Sequence, residues 1–142
     1  FDIHAKSDRL IYIDDYAHHP REIEASLSSI REMWPAKRLT VAFQPHLYSR
    51  TNDFYPEFAK SLNLADQVIL LDIYPAREQP IPGVTSKLIA DRLTVPFVRV
   101  TKEEFPEYVK ENVKEGIFMT VGAGDIDRFI PVFTEMFNHP DC

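Results

Sequence analysis

Apolar and polar residues alternate over Phe1-Asp2-Ile3-His4-Ala5-Lys6, the period of a strand with one covered face. Ser7-Asp8 interrupts the run and Leu10-Ile11-Tyr12-Ile13 resumes it, so the opening predicts a hairpin. The period then changes. Pro20 suits the first turn of a helix, and Ile23, Leu27, Ile30 and Trp34 form one apolar stripe before Pro35 ends it. Leu39 to Phe43 reads as a short buried strand, Gln44 to Thr51 as the loop after it, and Phe54, Phe58 and Leu62 as the inner face of a second helix. Gln67 to Ile73 is nearly all apolar, as strands covered on both faces are. A long loop with three prolines follows, from Tyr74 to Gly83. Thr85 caps a short helix running to Leu93, and Phe97 to Val100 is a further strand. Thr101-Lys102-Glu103-Glu104 has the form of a capping box and opens a helix to about Glu115. Ile117 to Val121 is the last strand. Gly122-Ala123-Gly124-Asp125 leads to a final helix with Phe129, Ile130, Phe133 and Phe137, which Pro131 bends or delays.

Strands alternating with helices predict an α/β fold: a Rossmann-like, three-layer domain whose sheet is mostly parallel, with one antiparallel strand from the N-terminal hairpin. The 142 residues fit one domain spanning 1–142 and suffice to bury roughly two thirds of the unfolded chain's surface. Cys142 is the one cysteine, so no disulfide framework exists, which fits a reducing compartment. A net charge of −6 argues against a general nucleic-acid surface. No apolar run approaches the ~20 residues of a membrane span, and no signal-like segment opens the chain. Phe1 is no start methionine and already lies in a strand-like pattern, so the chain reads as a piece of something longer.

The polar loops follow strands and therefore gather at one edge of the sheet, where open parallel sheets bind ligands. They bring Asp14-Asp15-Tyr16-Ala17-His18-His19, then His46 to Thr51, Arg77-Glu78, and Gly122 to Asp125. Asp14 and Asp15 suit ribose hydroxyls, because carboxylates accept several hydrogen bonds; equally, one of them caps the helix or forms a turn. His18 and His19 are adjacent and point apart on most backbones, and neither has zinc-ligand spacing, so no metal site is expected. Arg50 offers the two parallel donors of a carboxylate or phosphate clamp, or else a surface ion pair. Gly122 and Gly124 let backbone approach an anion at a helix start, or simply make a tight turn. His4 and His139 look peripheral. No G-x-x-x-x-G-K-[ST] loop for ATP phosphates occurs, and no G-x-S-x-G elbow.

Five stretches occur in a distinctive order: Asp14 to Pro20, Phe43 to Thr51, Asp72 to Glu78, Pro82 to Ser86 and Gly122 to Ile126. Together they resemble the C-terminal domain of the UDP-N-acetylmuramate–L-alanine ligases, within the Mur ligase family, over nearly the whole chain. The Gln44 to Thr51 stretch separates the chain from the murein-peptide-recycling ligases, and His18-His19 from relatives with His-Asn-Pro. The resemblance implies a three-domain, cytoplasmic bacterial enzyme of peptidoglycan precursor synthesis. It joins L-alanine to UDP-N-acetylmuramate through an acyl phosphate, with ATP and Mg2+ held mainly by a central domain. This domain would be inactive alone and would close over the N-terminal and central ones. His18 and Arg50 match positions that line alanine and hold its carboxylate, with Tyr16 beside them. Asp15, with Asp14 as its rival, matches the ribose-contacting aspartate. Leu47 departs from an arginine common in the family, so Arg77 is a candidate for the second charge, and His46 and His19 are further candidates. The residues alone also admit a free-standing nucleotide-binding module, or a metal hydrolase using His18 and His19.

Overall fold

Asp2–Lys6 (β1) and Leu10–Asp15 (β2) pair antiparallel, with a bulge between Ile3 and Ala5. Ser7 closes the turn: its hydroxyl oxygen accepts the Leu10 N–H at 3.1 Å. The computed structural model describes residues 2–139; the expectations placed on Phe1 and Cys142 lie outside the described residues. Four further strands follow: Leu39–Phe43 (β3), Gln67–Leu70 (β4), Phe97–Arg99 (β5) and Gly116–Val121 (β6). They extend the sheet in the order β1-β2-β6-β3-β4-β5, and every pair except the hairpin is parallel. The helices are Pro20–Met33 (α1), Tyr48–Leu62 (α2), Lys87–Ala90 (α3), Phe105–Asn112 (α4) and Ile130–Asn138 (α5).

Strand alternation sorts the core into two layers. Ile11, Ile13, Val41, Phe43, Val68, Leu70 and Met119 face one side, where Ile23, Leu27 and Ile30 of α1, Phe58 and Leu62 of α2 and Ile89 of α3 cover them. Tyr12, Ala42, Ile69, Leu71 and Phe118 face the other, covered by Phe105 and Val109 of α4 and Phe133 of α5. Phe133 anchors that second layer, with ring centroids 5.0 Å from Phe105, 5.3 Å from Phe118 and 5.9 Å from Tyr12. Edge-to-face aromatic packing of this kind adds stabilisation beyond area burial.

Several boundaries differ from the sequence pattern, each for a local reason. The α2 helix begins at Tyr48, taking Ser49, Arg50 and Thr51 out of the expected loop. The β4 strand stops at Leu70, although the Leu71 N–H still reaches the Phe43 carbonyl at 3.0 Å. Beyond α3, Arg92 and Leu93 bond three residues back rather than four, so the α-helix is shorter than its apolar stripe. The capping box at Thr101–Glu104 forms as expected, at 2.8 and 3.2 Å, but the α-helix itself starts at Phe105. Pro131 delays its helix: Asp125–Phe129 is a 3-10 turn, and Pro131 stands in the first turn of α5.

The connections fix where a ligand belongs. Neighbouring strands β3 and β6 send their chains to opposite faces, into α2 and into the Asp125 turn and α5 respectively. This divergence opens a crevice between their carboxyl ends, the switch point of doubly wound sheets.

Candidate functional site

Beyond β3 the chain adds one more rung to the sheet. The Tyr74 N–H reaches the Pro45 carbonyl and the Leu47 N–H reaches the Tyr74 carbonyl, both at 2.8 Å, so His46 and Tyr74 form a parallel bridge. Their rings stack at 5.8 Å and 17°. Leu47 is left at φ 73° and ψ 136°, a region that side chains other than glycine rarely occupy. This bend turns the chain directly into α2. One turn on, Arg50 Nη1 donates to His46 Nδ1 at 3.2 Å. Burial, then Arg50, then His18 hold the His46 imidazole below its ordinary pKa, so it stays neutral at pH 7 and can accept that bond. Glu78 closes the arrangement. Its carboxylate accepts the Ser49 backbone N–H at 3.1 Å and also the Ser49 hydroxyl, which holds it below the usual carboxylate range.

The loop after β2 faces this rung. Asp15 accepts the Ala17 N–H at 3.0 Å with one oxygen and the Ser26 hydroxyl with the other. It therefore ties the turn to α1. Asp14 accepts the Thr120 hydroxyl at 2.9 Å through Oδ1, and burial raises its pKa. Glu22 caps the start of α1 by accepting the backbone N–H groups of His18 and His19 at 3.2 and 3.1 Å. His18 Nδ1 donates to the Tyr16 carbonyl at 3.2 Å, which leaves Nε2 as the acceptor of the neutral ring. The His18 ring meets Tyr16 edge-on at 5.7 Å and His46 at 6.4 Å. Tyr16 is 66% exposed despite its large ring.

A third group lies in the crevice itself. Gln44, 2% exposed, donates through Nε2 to Asp125 at 2.6 Å and accepts the Ile126 N–H at 2.9 Å. Lys102 reaches Asp125 at 2.6 Å. Burial pushes the Asp125 carboxyl up, but Lys102 and Gln44 outweigh it and hold the group below its ordinary value. Gly124 is required here: a Cβ would stand 2.5 Å from Gln44 Oε1 and 2.7 Å from the Tyr74 ring.

The structure thus gathers Tyr16, His18, His46 and Arg50 into one row across the carboxyl edge. Asp14 and Asp15 stand at its β2 end. His19 turns away and packs on Phe54 at 5.4 Å, so the two histidines do point apart. Arg77 is exposed, and its neighbour Glu78 is the residue that reaches α2. His4 is less peripheral than the sequence suggests: it is half-buried, 5.6 Å from the Tyr12 ring. His139 lies 3.8 Å from Glu135 at the end of α5. Sequence reasoning missed the Tyr74 rung, the Glu78 clasp and the Gln44–Asp125–Lys102 network. Only the Gln-Pro-His order after a strand signalled the first. Among the described residues, no group of three His, Cys, Asp or Glu side chains is placed to hold a metal, and no helix is long and apolar enough to cross a membrane.

A doubly wound α/β domain with an open, polar carboxyl edge is the class these features define. Comparison narrows it: a family model described as "Mur ligase, glutamate ligase domain" matches residues 1–125, and the chain belongs to that family. It is 51% identical over 140 residues to the UDP-N-acetylmuramate–L-alanine ligase of Phocaeicola vulgatus, covering 97% of this chain and 30% of that protein. The Flavobacterium johnsoniae protein of the same name is 47% identical over 139 residues, covering 97% and 31%. The chain therefore spans about three tenths of the length of these relatives. Among solved structures, the UDP-N-acetylmuramate–alanine ligase of Thermotoga maritima superposes with a TM-score of 0.69 at 29% identity, over 93% of this chain and 27% of that one. A Haemophilus ducreyi domain described as from a UDP-N-acetylmuramate:L-alanyl-γ-D-glutamyl-meso-diaminopimelate ligase, 19% identical, shares the fold with a TM-score of 0.68 over 96% of both chains.

Proposed function

We propose that this chain is the C-terminal domain of an ATP-dependent ligase that joins L-alanine to UDP-N-acetylmuramate in the bacterial cytoplasm. The whole of 1–142 acts as one unit that closes on an N-terminal and a central domain. The row Tyr16–His18–His46–Arg50 at the carboxyl edge is the observation that carries this reading, supported by close identity to proteins of that name.

The chemistry follows from the row. Arg50 spends one N–H on neutral His46 and keeps the rest for the amino-acid carboxylate, which it meets as a charge-assisted fork. The Tyr16 phenol can donate to that carboxylate, and His18 Nε2, an acceptor, faces the amino group instead. Asp14 retains one oxygen without a donor among the described residues, while both Asp15 oxygens are engaged within the chain. Asp14 is thus the freer acceptor for a ribose hydroxyl, with Asp15 shaping the turn beside it. Among the described residues no group of three His, Cys, Asp or Glu side chains is placed to hold the magnesium ion, and no phosphate loop occurs within these 142 residues. The ion and the ATP phosphates are assigned to the central domain. Domain closure then supplies positioning and excludes water from an acyl phosphate.

In the full-length enzyme, Arg50→Ala should raise KM for alanine at least tenfold, about 1.4 kcal/mol, with a much smaller change in KM for ATP. An unchanged alanine KM would remove Arg50 from the site. The isolated chain mixed with ATP, magnesium, UDP-N-acetylmuramate and L-alanine should release no ADP; turnover would overturn its dependence on the other domains.

A further inference from the structure

The opposite edge of the sheet carries a feature that the reading above does not use. At the amino ends of β2, β6 and β3, the Arg9 carbonyl accepts the Gly116 N–H at 2.9 Å and the Arg38 carbonyl accepts the Ile117 N–H at 2.8 Å. Arg9 and Arg38 therefore flank Gly116 from either side, about 10 Å apart across two strand spacings. Gly116 has φ +87°, and a Cβ there would stand 2.4 Å from the Arg38 carbonyl oxygen. Backbone, with no side chain, forms the floor. One opening of about 490 Å³ leads onto it, and a second of the same size lies beside it over Thr40 and Val113; the two share Arg9, Arg38 and Glu115. Lys37 and Lys114 stand on their rims. Four cations thus face two carboxylates, Asp8 and Glu115, on a chain whose net charge is −6. Among the described residues none of these four cations forms an ion pair. The Arg38 side chain bonds only the neutral Gln67 amide oxygen, at 3.0 Å.

We infer that this groove binds a small phosphate ester, and a diphosphate in preference to a monophosphate, because two arginines and two lysines line it. Arginines that line both openings and form no ion pair within 4 Å among the described residues supply the planar, bidentate donors that phosphate recognition uses. Each opening falls within the usual size of a small-molecule site. The six residues of β6 separate the groove from the carboxyl edge by about 20 Å, so its ligand does not compete for the Arg50 row.

The test is titration of the ¹⁵N-labelled chain with sodium pyrophosphate at physiological salt. Amide signals of Gly116, Arg9 and Arg38 should shift and saturate with a Kd below about 1 mM. Orthophosphate should bind at least tenfold more weakly. The Arg9→Ser/Arg38→Ser pair, both exposed positions, should weaken pyrophosphate binding at least tenfold without changing the fold. Glu115→Gln should tighten it. Static signals at Gly116, or an undiminished response in the double variant, would overturn the proposal. So would saturation confined to residues 14–19 and 46–51.

Discussion

Gln44→Leu removes the bond network at the switch point while keeping most of the side-chain volume. Gln44 is 2% exposed, and its amide serves two partners at once: Asp125 Oδ1 at 2.6 Å and the Ile126 N–H at 2.9 Å. Leucine satisfies neither. The Ile126 N–H belongs to a residue with no exposed surface, so its orphaning costs about 2 kcal/mol. Asp125 keeps Lys102 and some contact with solvent, so its loss is nearer ~1 kcal/mol. The sum, about 3 kcal/mol, lowers the folded-to-unfolded ratio more than a hundredfold. For a domain of this length it lowers Tm by roughly 10 °C. Urea unfolding followed by circular dichroism should show a reduced midpoint with an unchanged slope, and Glu24→Gln, on the exposed face of α1, should stay within about 0.5 kcal/mol of the parent. A loss below about 1 kcal/mol for Gln44→Leu would refute the claim that this amide holds the Asp125 turn against β3.

Three further outcomes follow from the same structure. In a histidine NMR titration, His46 should protonate below the free-imidazole value of ~6.5, and Arg50→Met should move it upward by removing a neighbouring positive charge; titration above ~6.5 would contradict the geometry. Asp125 has a depressed carboxyl pKa, so the stability it contributes is present above the unfolded value of about 3.9 and is lost as pH falls through the folded one. Lys102→Met should shrink that loss below about pH 4, and an identical acid profile would dissociate the pair from stability. Phe133→Ala should destabilise the domain by about 3–5 kcal/mol, since it empties the space between Phe105, Phe118 and Tyr12; a cost near 1 kcal/mol would mean the aromatic layer collapses to fill the void.

The layers were legible in the sequence because burial imposes a period. Ile11, Tyr12 and Ile13 alternate faces, and Ile23, Leu27 and Ile30 recur on one side of a helix; the structure puts them there. Helix ends were less legible, because an apolar stripe continues through 3-10 geometry such as that at Arg92 and Leu93. At the carboxyl edge the residue types were readable but their partners were not. Nothing local distinguishes Asp14 from Asp15, yet one bonds Thr120 across the sheet and the other Ser26 on α1. Arg77 and Glu78 are neighbours on the same loop. Only the path of that loop, set by the Tyr74 rung, decides which one meets α2.

The rung at His46 and Tyr74 has a thermodynamic consequence for whatever binds beside it. A site carried on free loops must order its side chains when the ligand arrives, at about 0.5–1.5 kcal/mol for each immobilised side chain. Here His46 is fastened to the sheet by main-chain bonds on both sides, Arg50 rides on a helix that starts one residue after Leu47, and Glu78 clasps that helix from the far side. Their conformational entropy is surrendered during folding. The affinity of a small ligand bound beside them then carries no ordering penalty for these side chains, and the unfavourable backbone at Leu47 is where the folded state bears that cost.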